Sequence, residues 1–311
     1  MPKLFIDGAA GTTGLEIAER MAGREEFRVI TLSDADRKSA AARAAAIQDA
    51  DFVILCLPDA ASREAVALGE GAATRFIDAS SAHRVADGWT YGFAELRDGQ
   101  RAAIRDARLV SNPGCYPTGF LALVAPLMAE DLLPSDHGFT VNAVSGYSGG
   151  GKELIARMQV DAPEIGFRAY GLNLEHKHLA EMQVHAGLSR APLFAPAVVR
   201  AFRGMLVDVP LFLDPELGFA DAGSLHAALS DHYASEALVS VAPIGSAPGE
   251  LLLCEGIAPS DRLALYVLPS ADGSQVRLIA MLDNLGKGAS GAAVQNLNIM
   301  AGLDELAGLR A

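Results

Sequence analysis

Short apolar runs alternate with helical stretches over the first 110 residues. The apolar runs are residues 4–6, 27–32, 52–57, 75–78 and 109–110, with helix-forming segments at 15–21, 39–49 and 63–70. Residues 52–57 are continuously apolar, which is typical of a central parallel strand that is buried on both faces. The alternation of strand and helix predicts an open parallel sheet with right-handed crossovers.

The rest of the chain follows a different pattern. Strand-like segments are residues 139–144, 198–213, 238–241, 263–268 and 276–282, with helices predicted at 117–133, 224–233 and 289–306. Several strands with few crossovers predict a mostly antiparallel or mixed sheet. The predicted fold class is α/β, with a Rossmann-like parallel-sheet domain and a second, α+β domain that begins near residue 115.

Composition excludes several classes of protein. Half of the 311 residues are hydrophobic and the formal net charge is −13, which excludes general disorder and disfavours nucleic acid or an anionic membrane as a partner. No apolar run reaches the roughly 18 residues of a membrane span, and we identify no signal peptide. The three cysteines, Cys56, Cys115 and Cys254, form no disulfide framework or zinc motif. We therefore expect a cytoplasmic protein.

A glycine-rich turn joins the first predicted strand to the first helix. Gly8, Gly11 and Gly14 would allow a tight turn in which a pyrophosphate approaches backbone amides at the helix N-terminus. Thr12 and Thr13 lie between these glycines and are further candidate cofactor contacts. The spacing is a weak signal by itself, but its place between strand and helix favours dinucleotide binding over a turn without a ligand.

The end of the second predicted strand indicates the nucleotide. Ser33, Arg37 and Lys38 favour NADP, because Arg and small hydroxyl side chains accommodate a 2′-phosphate. Asp34 keeps NAD as an alternative, since an acidic residue there binds the ribose 2′-hydroxyl.

A second glycine-rich stretch, residues 146–152, has some features of a phosphate-binding loop. Glu153 stands where such a loop needs Ser or Thr to hold magnesium, so this interpretation fails. Ser145, Ser148 and Lys152 are still candidates for binding an anionic substrate, and a flexible turn is the alternative.

Cys115 has the surroundings of a nucleophile. Pro117 is suited to the first position of a helix, which would put Cys115 just before a helix N-terminus. The helix dipole there favours the thiolate, which can attack an activated carbonyl. Cys56 and Cys254 lie in apolar runs and are predicted to be inert core residues.

Two histidines are candidates for the proton transfer that such a thiolate requires. His176 and His178 lie two residues apart, and imidazole is the usual group for this role near neutral pH. A metal site is the alternative for this spacing, but no further Cys or His lies at ligand spacing, so we expect no metal.

Residues 111–118 resemble the nucleophile motif of the N-acetyl-gamma-glutamyl-phosphate reductases, and the resemblance extends over essentially the whole chain. Segments similar to family motifs are residues 8–14, 78–84, 91–95, 146–152, 176–181 and 283–296. Lys177 and Ala180 stand where the family commonly has Arg and Pro. The length resembles the shorter of the two forms of the family.

The resemblance implies an activity. It is the NADPH-dependent reduction of N-acetyl-L-glutamyl 5-phosphate to N-acetyl-L-glutamate 5-semialdehyde and phosphate, through a cysteine thioester, in arginine biosynthesis. The nucleophile would be Cys115 and the acid/base His178, with His176 the alternate. An aspartate-semialdehyde dehydrogenase type of reductase and a non-catalytic NADP-binding redox sensor are the alternatives.

The resemblance also implies site residues and a domain division. Asn284, Gly286 and Lys287 would contact the cofactor, and Arg84 and Glu181 the small-molecule substrate. The dinucleotide-binding domain would be residues 1–114 with 285–311, and the catalytic and oligomerisation domain residues 115–284. A homo-oligomer, dimer or tetramer, is expected.

Overall fold

A computed structural model of the chain describes residues 1–162, 164–246 and 249–311. The chain divides into two compact units. Unit 1 contains residues 1–94, 98–114 and 289–309, and unit 2 contains residues 95–97, 115–288 and 310–311.

The described strands and helices are as follows. The strands are β1 (Lys3–Asp7), β2 (Arg28–Ile30), β3 (Phe52–Leu55), β4 (Arg75–Asp78), β5 (Thr90–Tyr91), β6 (Leu109–Ser111), β7 (Thr140–Gly146), β8 (Phe167–Ala169), β9 (Leu193–Val199), β10 (Met205–Phe212), β11 (Val239–Val241), β12 (Leu263–Pro269) and β13 (Gln275–Leu282). The α-helices are α1 (Thr12–Met21), α2 (Ala40–Asp49), α3 (Asp59–Leu68), α4 (Gln100–Asp106), α5 (Cys115–Ala129), α6 (Gly151–Ala156), α7 (Leu179–His185), α8 (Ala222–His232) and α9 (Gly291–Ala301).

Unit 1 is built on a six-stranded sheet in the order β2-β1-β3-β4-β6-β5. All five strand pairs are parallel. Every residue of β3 is buried, as expected for a central strand that helices cover on both faces. The hydroxyl of Ser39 accepts a hydrogen bond from the Ala42 amide and so caps α2. The predicted parallel-sheet domain is confirmed.

A C-terminal helix completes unit 1. Residues 291–300 of α9 are all buried, and Val294 and Leu297 belong to the hydrophobic core together with residues of β1, β3 and β4. A helix that is covered on every side is part of the core rather than of the surface.

Unit 2 is built on a seven-stranded mixed sheet in the order β11-β12-β13-β10-β7-β9-β8. The long antiparallel pair of β10 and β13 lies at its centre, and α5 packs against both strands. α5 is almost entirely buried although it contains Pro126. The prediction of a second domain with a mixed sheet is confirmed.

Three local predictions are wrong. The single strand expected at 198–213 is two strands, β9 and β10, because Gly204 adopts a left-handed conformation (φ 102°) in the turn between them. The last helix ends at Ala301 rather than at residue 306, since Gly302 (φ 69°) caps it. Cys254 is exposed in a stretch without regular structure, so its apolar neighbours do not form a core strand.

None of the described helices is both long enough and apolar enough to cross a bilayer.

Candidate active site

The glycine-rich turn after β1 is closely packed. Gly8 has φ 89°, and a Cβ at this position would overlap the carbonyl oxygen of Cys56. A Cβ on Gly14 would overlap the carbonyl oxygen of Gly8, whereas one on Gly11 would lie 3.4 Å from the same oxygen. Gly8 and Gly14 are therefore required by the turn itself, and the backbone of this turn leads directly into α1.

The first residues of α1 fit a bound phosphate. Thr12 and Thr13 begin the helix, where backbone amides have no helical acceptor. The Thr12 hydroxyl oxygen is buried and has no hydrogen-bond partner among the residues that the structure describes. A buried hydroxyl beside free amides suits the pyrophosphate of a dinucleotide, so the residues present fit this cofactor.

The predicted nucleotide-selecting residues lie together in the loop after β2. The Ser33 hydroxyl donates a hydrogen bond to the Asp36 carboxylate (2.6 Å), and Arg37 forms an ion pair with Asp34 (2.8 Å). Asp34 is 92% exposed and Arg37 46% exposed. Exposed pairs of this kind contribute little to stability, so Arg37 can exchange Asp34 for another anion at small cost.

Cys115 is the first residue of α5, two positions earlier than expected from Pro117. Pro117 still lies in the first turn, where the missing N–H of a proline costs no helical hydrogen bond. The Cys115 side chain is partly buried. The thiol thus belongs to the helix N-terminus itself, where the dipole favours the thiolate.

Two tyrosines accompany Cys115. The Tyr116 hydroxyl donates to the carbonyl oxygen of Ala197 (3.0 Å), and the Tyr170 hydroxyl donates to that of Tyr116 (3.3 Å). Burial raises the pKa of Tyr116 strongly and the pKa of Tyr170 to about 12, and the charge of Cys115 adds to both shifts. Both hydroxyls therefore remain protonated and present no second negative charge near the thiolate.

The two candidate histidines differ in their contacts. His178 immediately precedes α7 and is 5% exposed, with its ring centroid 5.9 Å from that of Tyr116. The backbone amide of His178 donates to Nδ1 of His176 (3.2 Å), and the His176 ring packs edge-on against Phe194 (5.0 Å between centroids). Nδ1 of His176 is thereby used as an acceptor that holds the start of α7, which favours His178 as the proton-transfer group.

The remaining candidate residues of unit 2 are found in several settings. The Asn284 side chain accepts from the Gly204 amide (2.9 Å) and donates to the Ser148 hydroxyl (2.9 Å). The Ser145 hydroxyl donates to the Gly146 carbonyl oxygen (2.9 Å), whereas Lys152 is exposed.

Two further predicted contacts, Gly286 and Glu181, are tightly enclosed. A Cβ on Gly286 would overlap the carbonyl oxygen of Ser260. Glu181 is buried in α7, 1% exposed. The roles of these two residues toward cofactor or substrate stay predictions.

Arg84, in unit 1, is tied to the backbone that leads toward Cys115. Its guanidinium donates to the carbonyl oxygens of Asn112 (3.1 Å) and Ala79 (3.2 Å). The backbone amide of Asn112 in turn donates to the backbone carbonyl oxygen of Asp78 (2.7 Å). Arg84 thus supports the turn after β6, and its predicted contact with substrate stays a prediction.

Sequence reasoning did not single out Glu95, the partner of Lys287. Lys287, predicted to contact the cofactor, donates from Nζ to the Glu95 carboxylate at 2.7 Å, and both side chains are nearly inaccessible to solvent. Glu95 stands among Phe93, Ala94 and Leu96, so a lone carboxylate within an apolar segment was the available signal.

In the described part of the chain, no group of three or more His, Cys, Asp or Glu side chains is arranged to hold a metal ion.

Comparison with known proteins follows the division of the chain into two units. Residues 3–107 match the NAD binding domain of semialdehyde dehydrogenases, and residues 115–284 match the semialdehyde dehydrogenase dimerisation domain. Proteins from Brucella ovis and Brucella melitensis named N-acetyl-gamma-glutamyl-phosphate reductase are each 52% identical over 308 residues, covering 97% of this chain and 99% of the relative.

Solved structures show the same fold at lower identity. Aspartate semialdehyde dehydrogenase II from Vibrio cholerae has a TM-score of 0.71 at 16% identity, and a probable aspartate-semialdehyde dehydrogenase from Pseudomonas aeruginosa has 0.69 at 18%. Each alignment covers 96% of this chain and 98% of the other. With its full-length similarity to the Brucella proteins, the chain belongs to the N-acetyl-gamma-glutamyl-phosphate reductases within the semialdehyde dehydrogenase family.

Proposed function

We propose that the chain reduces N-acetyl-L-glutamyl 5-phosphate to N-acetyl-L-glutamate 5-semialdehyde and phosphate with NADPH, as a step of arginine biosynthesis. The observation that carries this proposal is the 52% identity to relatives of that name over 97% of the chain. The aspartate-semialdehyde dehydrogenases share the fold at only 16–18% identity, which supports no assignment of substrate.

The turn after β1 and the start of α1 would hold the dinucleotide. Gly8, Gly14 and Thr12 supply the close backbone approach and the hydroxyl that a pyrophosphate needs. Ser33 and Arg37 would bind the 2′-phosphate, with Arg37 leaving Asp34. When bound, NADPH supplies the hydride for the reduction.

Cys115 carries the covalent step. Its thiolate attacks the acyl carbon, so that a carbon–sulfur bond forms and the carbon–oxygen bond to phosphate breaks, leaving a thioester and free phosphate. Backbone amides in the first turn of α5 are suited to stabilise the oxyanion.

His178 carries the proton transfer. It protonates the oxygen anion that reduction of the thioester leaves and takes the same proton back as the carbon–sulfur bond breaks. The aldehyde is thereby released and Cys115 returns to its thiolate form. His176 orients the start of α7 through the His178 amide.

The substrate contacts and the assembly are part of the same proposal. Ser145, Ser148, Lys152, Arg84 and Glu181 would contact the substrate, with Lys152 and Arg84 binding its anionic groups. The dinucleotide-binding domain would comprise residues 1–114 with 285–311, and the catalytic domain residues 115–284. The assembly would be a homo-oligomer, which the match to a dimerisation domain supports, and it would lie in the cytoplasm.

The experiment is a steady-state assay in the reverse direction. N-acetylglutamate semialdehyde and aspartate semialdehyde are compared for phosphate-dependent reduction of NADP and of NAD. We expect the highest kcat/KM for N-acetylglutamate semialdehyde with NADP. A higher value for aspartate semialdehyde would contradict the proposed substrate, and a higher value with NAD would contradict the proposed cofactor.

A further inference from the structure

A buried ion pair of unit 2 includes Lys287, the residue that directly precedes Gly288. Nζ of Lys287 and the Glu95 carboxylate are 2.7 Å apart, with side chains 2% and 1% exposed. Burying two charges carries a desolvation penalty, and such a pair is weak evidence for stability alone. A role in fixing one specific geometry would account for such a pair.

The segment that follows Lys287 contacts Cys115. A Cβ placed on Gly288 would lie 2.8 Å from Cβ of Cys115 and 3.2 Å from its Cα. The Gly288 amide donates to the carbonyl oxygen of Asp283 (3.0 Å). The backbone next to Lys287 is thus in close contact with the residue that carries the sulfur.

The other end of the pair is anchored to a helix. Nε2 of His232, the last residue of α8, is 3.0 Å from the carbonyl oxygen of Glu95. α8 in turn packs on α5, the helix that Cys115 begins. Glu95 is therefore fixed relative to α5, and through its carboxylate it fixes Lys287.

We infer that Glu95 and Lys287 are positioning residues that hold the Gly288 backbone against Cys115 and so set the place of its sulfur. This inference rests on the proposed role of Cys115 as the nucleophile. It assigns Lys287 a contact within the protein, and the cofactor contact that the sequence predicted for Lys287 stays a prediction. Gly288 is required because a side chain there would displace Cys115.

The test removes both charges together, because a single change would take from one buried charge its partner in this pair. In Glu95→Gln/Lys287→Met we expect an unfolding temperature near that of the parent and a kcat about 10- to 100-fold lower. KM is expected to change less than kcat. The second readout is the rate at which iodoacetamide alkylates Cys115, measured by peptide mass spectrometry and divided by the rate for exposed Cys254 in the same chain. This alkylation ratio should be lower in the double variant than in the parent.

A matched control is the buried Glu16–Arg20 pair of α1 (3.2 Å, side chains 8% and 1% exposed). Glu16→Gln/Arg20→Met should leave both kcat and the alkylation ratio at the parent values. Unchanged values in the Glu95/Lys287 variant, or equal losses in the control, would overturn the inference.

Two further variants keep the test decisive if the double variant does not fold. Gly288→Ala should lower the alkylation ratio, and Lys287→Arg, which keeps the charge pair, should retain more kcat than Lys287→Met. Parent-like alkylation in Gly288→Ala would overturn the inference. Because alkylation needs no substrate, failure of the proposed acyl-phosphate activity in the parent is distinguishable from failure of this positioning role.

Discussion

Two cysteines follow parallel strands of the same sheet, yet their surroundings differ. Cys56 comes directly after β3 and three residues before α3, whereas Cys115 comes four residues after β6 and is itself the first residue of α5. Burial raises the pKa of the Cys56 thiol to about 12, and the charges of Asp78 and Asp7 add to the shift. A cysteine that follows a parallel strand is therefore not a nucleophile for that reason alone. Cys115 differs from Cys56 because it is the first residue of a helix.

The largest expected difference is catalytic. Cys115→Ser should lower kcat by roughly 10³-fold or more, because a serine hydroxyl is far harder to deprotonate than a thiol and is a poor nucleophile. Dinucleotide binding, measured by titration, should be retained. Cys56→Ala is the matched control and should keep most of the activity. Comparable losses in the two variants would break the distinction between the two cysteines.

The histidines sharpen the account of the Cys115 region. His178→Gln should lower kcat by about 10²- to 10⁴-fold, as expected for loss of a general acid/base. His176→Gln should cost less, since its Nδ1 accepts a hydrogen bond from the His178 amide. The pH profile of kcat is the decisive measurement: the limb due to an imidazole should vanish in the first variant and persist in the second. The reverse pattern would exchange the two roles.

We expect changes near Cys56 to affect the cofactor-binding turn after β1 rather than the covalent step at Cys115. Gly8→Ala would place a methyl group on the Cys56 carbonyl oxygen at a left-handed φ, with a strain of about 1–3 kcal/mol. We expect a lower unfolding temperature and weaker dinucleotide binding. Gly11→Ala, which has more room, is the control and should change both less. Equal effects at the two glycines would contradict the described turn.

The effect that is smallest at neutral pH concerns alkaline stability. The folded state keeps the Cys56 proton up to about pH 12, whereas the unfolded thiol loses it near its ordinary value of 9.0. The free energy of unfolding is thus unaffected by the titration of this thiol below pH 9. It decreases between pH 9 and 12, at up to about 1.4 kcal/mol per pH unit. Urea unfolding of the parent should weaken more steeply above pH 9 than that of Cys56→Ala. Parallel curves would mean that the Cys56 thiol is not buried as described.

Local patterns predicted the parallel sheet because period, burial and turn residues agree along the first 110 residues. They failed at residues 198–213, where a glycine turn interrupts an apolar stretch without changing its composition. They also failed at Cys254, because apolar residues in a row do not specify burial without a partner surface.

The candidate site was predictable only where its residues carry a signal in their local sequence. Cys115 and the glycines of the cofactor turn carry local signals, since each depends on its neighbours in sequence. The Glu95–Lys287 pair joins residues 192 positions apart, so the lone carboxylate at Glu95 could indicate a buried acid but not its partner.

The most direct test of Cys115 as the nucleophile is a single-turnover reaction with N-acetylglutamyl phosphate in the absence of NADPH. The account predicts a burst of one phosphate per chain and an N-acetylglutamyl adduct on the peptide that contains Cys115. No burst, or an adduct found on Cys254 instead, would contradict it.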